Sequence, residues 1–150
     1  MSHAPRDPDF ERRTRESFAR QGAMALIGAR LERVESGVVE IGLDYRPELS
    51  QQHGFFHAGI LSTIADSAGG YAGFTLFAAD AAVLTVEFKL NLMAPADGEH
   101  ARAIGHVVRS GRTLTVCELD VYVEKAGRRH HCATGLQTLM SVVGRAGVKD

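Results

Sequence analysis

The feature that most constrains the fold is an apolar segment over residues 58–79, which contains one carboxylate, Asp66, and no basic residue. The segment is about long enough to span a bilayer. However, it also contains four glycines and several Ser and Thr residues, and its flanks lack Lys and Arg anchors. A long central helix, buried in a globular fold and therefore apolar on most faces, is the better interpretation.

Strands are predicted on both sides of this helix. Two precede it, at residues 26–34 and 38–43, after a surface helix that begins at Phe10, and four follow it, at residues 84–92, 100–109, 113–124 and 129–140. The clearest alternation places one set of side chains on one face of a strand: Leu84, Val86, Phe88, Leu90 and Leu92. The intervening residues, on the other face, are Thr85, Glu87, Lys89 and Asn91.

Short turns between the later strands indicate antiparallel pairing. The predicted fold class is therefore α+β, with an antiparallel sheet wrapped around one long central helix.

Length and composition limit the classes of protein that this chain can represent. With 150 residues, we expect one domain over residues 1–150, with loose termini at 1–8 and 144–150. An apolar content of 45% and a charged content of 23% are typical of a soluble globular protein. The net charge of −1 gives no reason to expect nucleic acid as a partner. Two cysteines and no recognisable leader indicate a reducing, cytoplasmic setting.

Two pairs of residues were considered as chemical sites and are disfavoured. His53 and His57 have a spacing seen in metal sites, but the glycines around them indicate a loop, so no metal is expected. Cys117 and Cys132 lie on neighbouring predicted strands. A two-residue turn between those strands would place Cys117 opposite Leu136 and Cys132 opposite Val121, so that no disulfide forms. Neither cysteine lies near a plausible base in the sequence, which disfavours a cysteine nucleophile.

Asp66 is the strongest candidate for a catalytic group. A helix would surround it with small neighbours, which leave room for a ligand or another chain: Ser62, Thr63, Gly69 and Gly70. The first backbone amides of the helix, near Ala58 and Gly59, are predicted to be free and could bind an oxyanion. The alternatives are that Asp66 is a solvent-facing or satisfied polar residue, and that the glycines only allow close packing of helix and sheet.

A set of motifs over residues 25–140 resembles the hot-dog-fold acyl-CoA thioesterases, and most closely the PaaI-like branch of phenylacetate metabolism. In order, the motifs are Gln51, His57-Ala58-Gly59, Asp66, Thr85-Val86-Glu87-Phe88 and Met93-Ala94-Pro95-Ala96. The family usually has His-Gly-Gly, with an acid nine residues after the histidine. Here Ala58 replaces the first glycine, which is unfavourable only if the site requires a positive φ, and Gln51 takes a place often held by Asn.

The resemblance implies a role for each motif residue. Asp66 acts as general base or nucleophile, and the N–H of Ala58 polarises the thioester carbonyl. Gln51 positions the carbonyl or the water, Thr85 holds the water, and His57 structures the turn. In the family, these groups come from two subunits that join their sheets along the strand at residues 83–92.

The resemblance also implies where substrate binds. Coenzyme A phosphates lie near basic loops in the family, for which the candidates are Arg109, Gly111, Arg112 and Thr113. Gly59 and Gly70 are expected to line the path of the substrate.

The predicted function is hydrolysis of an acyl- or aryl-acyl-CoA to the free acid and coenzyme A, with no cofactor and no metal. We expect a homodimer or a dimer-of-dimers homotetramer that binds neither nucleic acid nor membrane. Two alternatives stay open: a non-catalytic acyl-CoA-binding hot-dog protein and a hot-dog dehydratase. The presence of Asp66 favours the enzyme, and the sequence does not specify the acyl group.

Overall fold

The computed structural model describes residues 4–148 and confirms the predicted α+β architecture within them. Its helices are α1 (Phe10–Ala19), α2 (Gly22–Ile27) and α3 (Ala58–Phe74), with a short 3-10 turn at Pro47–Leu49. Its strands are β1 (Arg30–Glu35), β2 (Val38–Asp44), β3 (Ala81–Leu92), β4 (His100–Ser110), β5 (Leu114–Lys125) and β6 (Arg128–Val143). The described strands form one antiparallel sheet in the order β1-β2-β4-β5-β6-β3.

The core lies between α3 and the concave face of the sheet. The apolar residues of α3 that face the sheet are at most 1% exposed, namely Leu61, Ile64, Ala65, Ala68, Ala72 and Phe74. Alternate residues of β4 and β5 meet them, as the period-2 pattern predicts, whereas in β2 residues 39–43 are all buried. No helix in the described part of the chain is long and apolar enough to cross a membrane.

The central helix ends earlier than the apolar segment does. α3 stops at Phe74, where the guanidinium of Arg13 in α1 donates to the backbone oxygens of Phe74, Phe77 and Ala78. The carboxylate of Asp7 pairs with Arg13 at 3.2 Å. A cation that satisfies the last carbonyls of a helix also opposes its dipole favourably. α1 is therefore fixed to the C-terminal end of α3.

The predicted start of the first strand, near the N-terminus, is wrong. Residues 26 and 27 belong to α2, which Gly28 ends in the left-handed conformation (φ 78°), so β1 begins only at Arg30. Asp7, within the terminus predicted to be loose, is 7% exposed and ion-paired. Residues 1–3 and 149–150 of the predicted loose termini lie outside the described residues.

The register between β5 and β6 differs from the predicted one by a single residue. From the two-residue turn to the pair Tyr122–His131, the register is the predicted one. Beyond that pair, a bulge shifts it by one residue and places Val121 opposite Ala133. As a result Cys117 lies opposite Gln137 rather than Leu136. Both cysteines are buried and free, as expected for residues out of register. Burial raises the pKa of the Cys117 thiol to about 12, which disfavours its use as a nucleophile.

Glycines set the distance between α3 and the sheet. A Cβ built on Gly105 of β4 would lie 2.3 Å from the carbonyl carbon of Ala68. Within α3, a Cβ on Gly69 would lie 2.4 Å from Leu119 Cδ2, and one on Gly73 would lie 2.4 Å from Leu139 Cδ1. Close packing of helix and sheet therefore accounts for Gly69 and Gly73. It does not account for Gly70, where a Cβ would meet nothing within 4 Å.

Substitution of Gly105 by Ala is expected to lower the free energy of unfolding by about 3 kcal/mol, because the methyl group meets helix backbone that cannot rotate away. Urea denaturation measures this loss. Gly22→Ala is the matched control, since a Cβ there meets nothing within 4 Å and φ is not positive. Equal stabilities for the two variants would contradict this account of helix–sheet packing.

Candidate active site

The N-terminus of α3 is held by the loop before it. The N–H of His57 donates to Leu49 O at 2.9 Å, and Phe56 donates to Ala96 O at 3.0 Å. His57 is the N-cap residue, with extended backbone (φ −66°, ψ 137°), and its Nδ1 accepts from the N–H of Gly59 at 2.9 Å. The prediction that His57 structures this turn therefore has a geometric basis, namely capping of the helix.

Only one of the two amides predicted to be free remains so. The N–H of Gly59 is occupied by His57, which corrects that expectation. The N–H of Ala58, the first of the helix, has no hydrogen-bond partner within residues 4–148. Ala58 adopts no positive φ, so replacement of the family's glycine causes no backbone strain here. A free amide at a helix N-terminus is a donor for an oxyanion.

Gln51 lines the same cavity as Ala58. Both Gln51 and Ala58 line a cavity of about 480 Å³, together with Phe55, Phe56, Leu61, Leu92, Met93, Ala94, Pro95 and Ala96. The side-chain oxygen of Gln51 accepts from the N–H of His53, and its backbone N–H donates to Phe55 O at 2.9 Å. The amide nitrogen of Gln51 makes no hydrogen bond to the described residues and could therefore donate to a ligand in this cavity.

Asp66 is half-buried two turns further along α3 and is held by two side chains of the sheet. Its Oδ1 accepts from Thr85 Oγ1 at 2.7 Å and from Gln137 Nε2 at 2.6 Å. Gln137 Nε2 also lies 3.1 Å from Asp66 O and 3.1 Å from Thr85 Oγ1. Oδ2 of Asp66 accepts no hydrogen bond from the described residues, so this oxygen is left for water or substrate.

A bulge in β3 brings Thr85 to Asp66. Thr85 lies opposite Leu139 and Phe88 lies opposite Gln137, with Val86 as the extra residue between them. The prediction of which side chains share a face of β3 is therefore wrong for the residues before the bulge. Thr85 shares the inner face with Phe88, and Leu84 shares the outer face with Glu87. A bulge re-aims side chains in this way, because one extra residue exchanges the two faces of a strand.

Gln137 was not predicted as a site residue. The only signal in the sequence is its position. Gln137 is two residues after Gly135 and two before Leu139, so this polar residue lies on the same, inner face of β6 as they do. It is fully buried. Its contact with Asp66 joins residues 71 positions apart, so no local pattern could reveal it.

A second cavity, of about 310 Å³, lies at the carboxylate. It is lined by Gln21, Asp66, Ser67, Gly70, Tyr71, Val83, Leu84 and Thr85. Gly70 thus faces open space beside Asp66, and its place on the path of a substrate stays a prediction. A polar wall adjoins it, because Gln21 Nε2 donates to Tyr71 Oη at 3.0 Å and Ser67 donates to Gln21 Oε1 at 3.2 Å.

The predicted site residues thus form two groups on one chain. Gln51 and Ala58 lie at the start of α3, whereas Asp66 and Thr85 lie around its middle. Eight residues of helix separate Ala58 from Asp66, which corresponds to about 12 Å along the axis. A single carbonyl group cannot contact both the amide and the carboxylate of the same chain.

The predicted phosphate-binding residues lie on the exposed hairpin between β4 and β5. Arg109, Gly111, Arg112 and Thr113 are all exposed. Ser141 of β6 donates to Thr113 O at 2.8 Å, and Leu84 and Leu114 both pair with Met140. The hairpin therefore lies at the end of the sheet that carries Thr85, two strands from β3, or about 10 Å away.

The two histidines of the loop do not converge on a common point. His53 Nε2 lies 3.3 Å from the side chain of Gln52, whereas His57 Nδ1 faces the helix. Among residues 4–148, no three His, Cys, Asp or Glu residues are grouped so as to hold a metal ion.

Comparison of this chain with known proteins shows that it is similar to thioesterases. Residues 53–129 match the family described as the thioesterase superfamily. A crystal structure of a thioesterase family protein from Silicibacter pomeroyi is 48% identical, covers 90% of this chain and 99% of its own, and superposes with a TM-score of 0.89. The PaaI protein of Escherichia coli, from the phenylacetic acid degradation operon, is 14% identical, with coverages of 94% and 96% and a TM-score of 0.79. It therefore shares the fold, which is the hot-dog fold.

A protein of Saccharolobus solfataricus that is named as a candidate esterase is 29% identical to this chain over 112 residues. The match covers 75% of this chain and 72% of that protein.

Replacement of His57 by Ala is expected to destabilise the fold by about 1 kcal/mol, because the N–H of Gly59 loses its cap. For a chain of this size, the melting temperature should fall by about 3 °C. Differential scanning calorimetry measures this shift. His53→Ala is the control, because this histidine is equally exposed in the same loop but caps no helix amide, and it should change stability by less than about 0.5 kcal/mol. Equal shifts for the two variants would refute capping by His57.

Proposed function

The chain belongs to the thioesterase superfamily and is a thioester hydrolase, and from this premise we propose that it hydrolyses acyl- or aryl-acyl-CoA to the free acid and coenzyme A. The observation that carries this proposal is the carboxylate of Asp66, which lines a cavity and whose Oδ1 is fixed by Thr85 and Gln137, while its Oδ2 accepts no hydrogen bond from the described residues. A held carboxylate beside an open cavity is suited to act on a bound electrophile.

In the proposed reaction, the N–H of Ala58 donates to the thioester oxygen as negative charge develops there. The positive end of the α3 dipole adds to this stabilisation. Asp66 either removes a proton from the attacking water or attacks the carbonyl carbon itself to form an anhydride that water then hydrolyses. In both routes the carbon–sulfur bond breaks and coenzyme A leaves as the thiolate, which takes up a proton.

We propose that each site combines the amide of one subunit with the carboxylate of another, because about 12 Å of helix separates the two within a chain. β3 supports this arrangement, since it is an edge strand with only β6 beside it among the described strands. It also exposes large apolar side chains: Leu84, Val86, Phe88 and Leu92, followed by Met93. A long apolar edge of this kind favours pairing with another strand.

The basic hairpin is the proposed contact for the phosphates of coenzyme A. Arg109 and Arg112 are exposed on it, at the end of the sheet where Thr85 lies. Guanidinium groups bind phosphate by charge-assisted, bidentate hydrogen bonds.

The first test of the function is thiol release from acetyl-, hexanoyl-, palmitoyl-, benzoyl- and phenylacetyl-CoA. We expect turnover of at least one substrate, and a reduction of about 10²- to 10⁴-fold in Asp66→Asn, because the carboxylate is lost. Thr85→Ala should have a smaller effect, since Gln137 still holds Asp66. Calorimetry verifies that the variants are folded. Unchanged turnover in a folded Asp66→Asn would refute the mechanism, and no turnover by the wild type, with binding retained, would indicate a binding protein.

The composite site is tested by mixing two inactive variants. Ala58→Pro removes the N–H, yet proline is favoured at the first position of a helix, and the extended backbone of His57 is compatible with it. Subunits of Ala58→Pro and Asp66→Asn, co-refolded, should regain about one quarter of wild-type activity, since half the dimers are mixed and each has one intact site. The control is Asp66→Asn co-refolded with the Ala58→Pro, Asp66→Asn double variant. No recovery in verified mixed dimers would place the whole site within one chain.

A further inference from the structure

We propose that Gln137 is a positioning residue for thioester hydrolysis, which orients the carboxylate of Asp66 by donating hydrogen bonds from the sheet. This inference rests on the proposed function of Asp66. It adds a group on β6, a strand to which the motif residues assign no part of the site.

The geometry of the side-chain amide supports this role. Gln137 Nε2 faces three acceptors: Asp66 Oδ1 at 2.6 Å, Asp66 O at 3.1 Å and Thr85 Oγ1 at 3.1 Å. Thr85 Oγ1 in turn donates to Asp66 Oδ1. Both donors therefore converge on the same carboxylate oxygen and restrict the rotation of the carboxylate. Oδ2 accepts no hydrogen bond from the described residues and remains available to water or substrate.

Packing alone does not explain an amide at this position. Gln137 is fully buried, and its Oε1 is buried without a hydrogen-bond partner in the described part of the chain. A buried acceptor without a partner destabilises a fold, and an apolar side chain of the same length would avoid that loss. A polar group that is retained in a core despite such a loss is characteristic of a functional site.

Gly69 makes room for this amide. A Cβ on Gly69 would lie 2.0 Å from Gln137 Oε1. The absence of a side chain there allows the amide to reach between the helix and the sheet, so that Nε2 meets both the backbone and the side chain of Asp66. One of the two adjacent glycines thus admits Gln137, while the other, Gly70, opens the cavity.

Among the described residues, none that lines the cavity at Asp66 has another charged side chain that could fix it. Of the residues that line its cavity, only Tyr71 is also titratable. Cys117 of β5 contacts Gly69 O, but burial raises its pKa to about 12. Glu87 and Lys89 of β3 and Glu118 of β5 lie on the outer face of the sheet. The neutral donors Thr85 and Gln137 therefore determine the orientation of the carboxylate.

Replacement of Gln137 by Met keeps the length of the side chain and removes the two N–H donors of its amide, while Thr85 is unchanged. We expect kcat to fall about 10- to 100-fold with KM little changed, because the carboxylate loses its orientation. The melting temperature should stay the same or rise, since the buried oxygen without a partner is removed as well. Thr138→Val, on the outer face of the same strand, is the control and should leave kcat unchanged.

Gln137→Glu provides a signature that a structural role would not produce. Two carboxylates at this distance share one proton, and the shared proton can replace the N–H donor. As pH rises and the pair loses that proton, mutual repulsion displaces Asp66. The activity of Gln137→Glu relative to wild type should therefore fall by at least about tenfold between neutral and alkaline pH, whereas Gln137→Met should keep a constant ratio to wild type.

The outcomes separate this inference from the proposed function. Inactivity of the wild type on the whole acyl-CoA panel would overturn both. An active wild type and an inactive Asp66→Asn, with full kcat in Gln137→Met, would overturn the role of Gln137 alone. Parallel pH profiles for Gln137→Glu and Gln137→Met would also overturn it. If Gln137→Met does not fold, Gln137→Leu serves in its place, with the same expected loss of kcat.

Discussion

The close approach of α3 to the sheet is the constraint on which the rest of this structure depends. The backbone of Ala68 and Gly69 lies against Gly105, where even one methyl group would collide. This short distance brings the middle of the helix within hydrogen-bonding reach of side chains from β3 and β6. A larger residue at the contact would separate the layers, and Asp66 would lose its partners before the core lost its apolar packing. The glycines therefore serve packing and site geometry at once.

The same helix supplies two different chemical groups by two different means. Its first turn offers the N–H of Ala58, which is free because the helix begins there and because His57 caps the next amide instead. Its middle offers a side chain, Asp66, which is useful because the sheet holds it. These groups are too far apart to act together in one chain. The exposed apolar edge of β3 and the separation of the two groups point to the same arrangement, in which a second copy completes each site.

Some of the buried polar groups of the protein lie at the candidate site. Gln137 and Ser67 are buried there, and the hydroxyl of Tyr71 and the amide of Gln21 extend the set to the N-terminal helices. Elsewhere, the charged residues of β1, β2 and β4 pair across the outer face of the sheet, as Glu40 does with Arg33 and Arg102. Burial acts to raise the pKa of the Glu40 carboxyl, but the hydrogen bonds and charges of the two arginines together outweigh it, so that this pKa is lowered. Such pairs support the fold, whereas the neutral donors around Asp66 orient a carboxylate.

The sequence by itself determined the α+β class and the order of the central helix and the six strands, and it made Asp66 the leading candidate for a catalytic group. Those features rest on local periodicity and on a carboxylate isolated in an apolar segment, and both can be read along the chain. The resemblance to thioesterases added Ala58, Gln51 and Thr85. The tertiary structure alone decided that Thr85 faces Asp66, since a bulge at Val86 exchanges the faces of β3 and leaves no mark in the alternation. It alone placed Gln137 at the carboxylate, because contacts between residues far apart in sequence depend on strand order and register, which local patterns do not encode.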